Sequence, residues 1–116
     1  NNALALNNVA WLMVQQSKPG AVEYAEKANQ LLPGRPPLMD TLASALAAEK
    51  QLPRALELQK QAVERAPEDG SLRMNLAKLY LAGDQKGMAR SELEKIEKMG
   101  RKYPNQEEVA KLLKTL

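Results

Sequence analysis

The chain has 116 residues with one Trp, three Tyr, no Phe, no Cys and no His, a net charge of +3 and a pI of about 9.2. Such a length makes one domain, able to bury roughly two-thirds of its unfolded surface. Without Cys or His these residues cannot build a disulfide framework, a zinc finger, a haem ligand set, a thiol nucleophile or a His-based triad.

A core drawn from Leu, Ala, Val and Met suits closely packed helices, and few runs alternate with period two, so the expected fold is all-α. Carboxylates leave hard cations as the one metal option, but no Asp-x-Asp-x-Asp-Gly loop is present. No cofactor is expected. No apolar run reaches membrane-spanning length and no signal peptide opens the chain. It begins at Asn1 without a Met, which reads as a fragment of a longer protein. Residues 1–58 carry five basic and five acidic groups and residues 59–116 carry twelve and nine, so the positive excess is C-terminal and small.

In chain order, residues 3–16 predict a first helix. Leu6, Val9, Ala10 and Met13 fall on one face at i, i+3, i+4 and i+7. Leu4, Trp11 and Val14 make a second apolar stripe, so this helix has two neighbours, or one neighbour and one missing. Ser17-Lys18-Pro19-Gly20 ends it. A second helix over 20–32 carries Ala21, Tyr24 or Ala25, Ala28, Leu31 and Leu32, with Glu23 and Lys27 on its wet side. Pro33-Gly34-Arg35-Pro36-Pro37 is the strongest break in the chain, and Pro36 or Pro37 can open the next helix.

The third helix, 37–49, places Leu38, Leu42, Ala45 and Leu46 at helical spacing. The fourth, 53–66, buries Leu52, Ala55, Leu56, Ala62, Val63 and Ala66. Asp69, Gly70 or Ser71 caps a fifth helix over 71–82, with Leu72, Leu76, Leu79 and Tyr80 on its face. A sixth over 86–100 uses Met88, Ala89, Leu93 and Ile96. Asn105 with Glu108 makes a capping-box-like start to a seventh helix, in which Val109, Leu112, Leu113 and Leu116 form one apolar face. Glu107, Glu108, Lys111 and Lys114 face away, as a terminal element that covers the last core requires.

Sliding residues 36–69 by 34 positions aligns Leu38, Leu42, Ala43 and Ala55 with Leu72, Leu76, Ala77 and Ala89. Sliding it back aligns Ala55, Ala62 and Pro67 with Ala21, Ala28 and Pro33. A 34-residue period in an all-helical pattern marks a helix-hairpin array. The units are 2–35, 36–69 and 70–103, with 104–116 as a capping helix. They make up a single domain.

These residues resemble the tetratricopeptide repeat family, whose pattern sets a small residue midway along helix A, small residues at two points on helix B, and a terminal proline. The central unit has Ala43, Ala55, Ala62 and Pro67; the first has Ala10, Ala21, Ala28 and Pro33, with a turn one residue shorter. The third keeps Ala77 and Ala89 but has Ile96 and Arg101 in the last two places. The resemblance implies a right-handed superhelical stack of three hairpins plus the cap, serving as a protein-interaction scaffold rather than an enzyme. The strings LNNVAWLM and LMDTLASAL also resemble bacterial tetratricopeptide proteins, among them lipoproteins of exosortase and exopolysaccharide systems. That likeness implies a cell-envelope parent with further repeats upstream, against a cytoplasmic alternative.

In such a stack the A helices line the concave groove. By register the groove positions are Asn7, Trp11, Val14 and Gln15, then Asp40, Thr41, Ser44 and Ala47, then Met74, Asn75, Lys78 and Leu81. Apolar and amide side chains together suit a peptide or partner helix. Trp11 is either a binding anchor or a packing residue, and self-association through Leu4 and Trp11 is the competing use of this stripe. Family members that grip a C-terminal carboxylate resemble one another in a clamp of basic and Asn residues. The matching positions here are Asn7, Trp11, Asp40, Ser44, Met74 and Lys78, with one cation and a repelling carboxylate. No nucleic-acid partner is expected, because Glu92, Glu94 and Glu97 interleave with Arg90, Lys95, Lys98, Arg101 and Lys102 on what reads as a solvated face. If the parent is an enzyme, its chemistry lies elsewhere and this array recruits its substrate.

Overall fold

The computed structural model describes residues 2–116. Among these residues the chain forms α1 (Asn2–Gln15), α2 (Ala21–Leu31), α3 (Pro36–Ala48), α4 (Leu52–Arg65), α5 (Gly70–Ala82), α6 (Lys86–Met99), a 3-10 turn (Gly100–Lys102) and α7 (Gln106–Lys114). The helices pair as hairpins α1/α2, α3/α4 and α5/α6, and α7 closes against α6. The stack measures 39 × 26 × 22 Å.

Alanine sets the spacing between helices. Ala10, Ala21, Ala28, Ala43, Ala55, Ala62, Ala77 and Ala89 are all buried, and so is Ile96 where the third unit departs from the pattern. A methyl side chain lets two backbones approach closely, and each of these positions sits where one helix crosses another. Successive A helices meet, α1 on α3 and α3 on α5, whereas α2 and α4, or α4 and α6, hardly touch. The A layer is therefore the inner side of the stack.

Each hairpin turns the same way. Ser17, Lys50 and Asp84 have φ of 56°, 64° and 59°, and they occupy one register position in the three units. After each, an N–H reaches back five residues: Lys18 to Met13, Gln51 to Leu46 and Gln85 to Tyr80, each bond 2.8 Å long. The left-handed residues themselves donate to Val14, Ala47 and Leu81. This pair of bonds is the Schellman ending of an α-helix, here built three times with no glycine at the left-handed position.

At the other end of the hairpins, Asp69 caps α5 by accepting from Ser71 N at 3.0 Å and Leu72 N at 3.3 Å. Asn105 caps α7 through Glu108 N. Gln106 Nε2 donates to Ile96 O at 2.9 Å and to Gly100 O at 3.0 Å, which ties the cap to the end of α6. Gly100 ends that helix at φ 58° and ψ −126°, a region open to glycine and hardly to any other residue. That break replaces the missing terminal proline.

Four expectations about burial are corrected. Val9 lies 41% exposed because no helix among the described residues covers its side of α1. Leu31 and Met88 are exposed at the edges of their helices. Glu92 is not solvated: it is buried, accepting from Arg73 Nη1 at 2.8 Å while Lys95 Nζ stands 3.4 Å away. Arg73 also donates from Nε to Pro67 O, so the ion pair fastens α6 to the start of the third hairpin.

Candidate interaction surface

The inner layer is built from α1, α3 and α5, and the register positions expected there fall into two groups. Trp11, Gln15 and Lys78 are exposed, while Asn7, Val14, Asp40, Ser44, Ala47, Asn75 and Leu81 are half-buried. Thr41 and Met74 are corrected: at 3% and 2% exposure they belong to the interior. Thr41 Oγ1 turns back to Pro37 O at 3.2 Å, and Met74 sits among Ala77, Leu93, Ile96 and Val109. Met74 thus faces α6 and the cap rather than the open side of its helix.

Asp40 is the hub of this surface. Its Oδ1 accepts from Gln59 Nε2 at 2.7 Å and from Asn75 Nδ2 at 3.0 Å, and Asn75 also reaches Oδ2 at 3.2 Å. One carboxylate thus joins the second and third hairpins through two neutral amides. Burial pushes the Asp40 carboxyl above its ordinary value; the bonds from Asn75 and Gln59 pull it back in part, and the charge on Asp69 adds to the rise. Among the described residues no cation stands within ion-pair distance of it.

Gln59 was not legible as a contributor from helix-face arguments. It is wholly buried on α4, donates a second bond to Leu72 O at 3.0 Å, and leaves Oε1 without a protein partner. The available signal was its register: the same position holds Ala25 in the first unit and Leu93 in the third, so a glutamine there is a polar intrusion into an apolar site. Asn7 Oδ1 is likewise buried and unpartnered. Lys78 is held by Glu108 Oε2 at 3.1 Å, which turns that glutamate from the outer face of α7 toward α5.

These distances remove the elements of a carboxylate clamp. Its cation is already paired, one of its positions is core, and Asp40 offers negative charge. No group of three or more His, Cys, Asp or Glu among the described residues is placed to hold a metal ion. Among the described residues, no helix is long and apolar enough to cross a membrane.

A three-hairpin stack with small residues at each crossing and an inner A layer defines a helical-repeat interaction module. Comparison with known proteins makes the class specific. A family profile described as "Tetratricopeptide repeat" matches residues 46–116, and the chain belongs to the tetratricopeptide repeat family. The first TPR domain of the human RPAP3 protein, solved by NMR, has the same fold: TM-score 0.77 over 98% of this chain and 94% of that one, at 18% identity. A search of curated protein sequences finds no match. Domains of this family mediate protein–protein interaction and are in general not catalytic.

Proposed function

We propose that this domain is a non-catalytic scaffold that binds a peptide or partner helix along its inner face, through Asn7, Trp11, Val14, Gln15, Asp40, Ser44, Asn75, Lys78 and Leu81. The observation that carries the reading is Trp11, 50% exposed on the same helix layer as the half-buried Asp40 carboxylate. Asp40 has no ion-pair partner among the described residues. A peptide supplies a basic or amide side chain for Asp40, while an apolar side chain covers the indole. Titrating peptides against the intrinsic fluorescence of Trp11 tests this. Saturable quenching or a blue shift is expected, with affinity falling about 5- to 30-fold in Trp11→Ala. Binding that leaves Trp11 fluorescence and its variant unchanged contradicts it.

A second reading has an observation of its own. Leu4 and Trp11 are both about half exposed on one side of α1, which favours self-association of a spacing array attached to another module. Sedimentation showing a concentration-dependent dimer that Leu4→Ser dissolves supports that use; a monomer at all concentrations removes it.

A further inference from the structure

The three A helices share one register, and α1 departs from its burial pattern along a single stripe. Aligned on Ala10, Ala43 and Ala77, the buried Leu38 and Leu72 correspond to Ala5, the buried Leu42 and Leu76 to Val9, and the buried Ala45 and half-buried Leu79 to Leu12. In α1 all three are exposed, Val9 at 41% and Leu12 at 50%. They fall at 5, 9 and 12, one face of a helix, and Asn8 lies on the same face.

What covers this face in the other two hairpins is visible. Leu38 lies among Ala28 of α2 and Leu32 just beyond it, and Leu42 and Ala45 lie among Ala21 and Ala25. Leu72, Leu76 and Leu79 lie among Leu56, Ala62 and Val63 of α4. The covering element is each time helix B of the hairpin before. In the third hairpin the counterpart of Asn8 is Asn75, whose amide bonds the Asp40 carboxylate on helix A of the hairpin before. Asn8 is exposed.

We propose that Ala5, Asn8, Val9 and Leu12 form the receiving edge for a further tetratricopeptide hairpin. Its helix B, faced with alanine and short aliphatic residues, lies on Val9 and Leu12, with a bulkier side chain over Ala5, where the other hairpins carry leucine. Its helix A offers an acidic side chain to the Asn8 amide. The edge continues, in register, the two hairpin interfaces already present in the molecule. It is distinct from the Leu4–Trp11 side of the helix, because Trp11 aligns with Ser44 and Lys78 on the inner face. A second copy fits poorly. The far end of the stack presents Glu107, Lys111 and Lys114 on the outer side of α7, and a head-to-head pair sets Asn8 against Asn8 with no carboxylate between them.

The edge is tested by supplying its occupant. A duplicate of residues 36–69 is fused directly ahead of Ala3, reproducing the joint between Asp69 and Gly70, in an otherwise complete chain. The melting temperature should rise by about 5 °C or more with a single transition, because stacked repeats gain from each new interface. Val9 and Leu12 carry most of that gain, since Ala5 fills less of the interface than a leucine does. Val9→Lys with Leu12→Lys should leave the unfused chain's melting temperature within about 2 °C, since both sites face solvent there, and should erase the gain in the fusion. Asn8→Ala should remove part of the gain, and no more of it when the duplicated Asp40 is also changed to Ala. No gain, or a gain indifferent to Val9→Lys and Leu12→Lys, overturns the proposal. So does sedimentation showing that the unfused chain already dimerises through these residues. The groove reading can fail without touching this result, since none of the four residues is among those proposed for the groove.

Discussion

Tyr103 lies so close over Gly70 that a Cβ added to the glycine would stand 2.5 Å from the ring's Cδ1. Neither atom can yield easily, because Gly70 opens α5 and the ring sits in the cluster beneath the cap. Gly70→Ala should therefore cost about 1–3 kcal/mol, read as a lower urea midpoint with an unchanged slope. Asp40 supplies a prediction of opposite kind. Its folded carboxyl titrates above the unfolded one, so the folded state holds the proton more tightly. Stability from this group is full below the unfolded value and is lost as pH rises through the folded value. Following the Asp40 carboxyl by NMR should show the raised titration, and Asp40→Ala should remove that part of the pH dependence; a carboxyl titrating below the ordinary range contradicts the burial argument. At this scale the sequence was only partly readable. Alanine at each crossing could be picked out by period alone, whereas Glu92 could not be told from its exposed neighbours. Its partner Arg73 sits nineteen residues away on another helix, and a charge pattern along one helix does not see across to the next.

Helix ends were legible to within a residue or two because the breaks are written in Pro, Gly and capping residues: Pro36 at the start of α3, Asp69 before α5 and Asn105 before α7. The left-handed turns were not. Glu49-Lys50-Gln51 contains no Gly or Asn, so nothing in its residues marks the left-handed backbone that Lys50 shares with Ser17 and Asp84. A left-handed L residue costs about 1–2 kcal/mol, and glycine gives back part of that relief through its freer unfolded chain. Lys50→Gly should thus stabilise the domain by up to about 1 kcal/mol, seen as a rise of a few degrees in thermal unfolding. A loss of stability would mean that the lysine side chain holds the turn in some other way. The exposed stripe on α1 shows the converse difficulty. Period and hydrophobicity mark Val9 as core, and nothing in the residues themselves says that it lies uncovered among the described residues.

Across the whole molecule, sequence period, small residues at helix crossings and the terminal cap agree with one another, and that agreement specifies the stack. The inner surface is less constrained. Its residues vary from unit to unit where the crossing alanines, Ile96 aside, do not, so register could place Asn7, Trp11, Asp40 and Lys78 on one layer without showing that Asp40 is shared between hairpins or that Lys78 is tied to Glu108. The proposed function depends on that layer being the one that engages a partner. Backbone amide shifts recorded while a bound peptide is titrated test it most directly. The largest changes should fall on α1, α3 and α5, centred on Trp11, Ser44, Asn75 and Lys78, with α2, α4 and α6 little altered. Changes concentrated on the B helices, with the A layer silent, would contradict it.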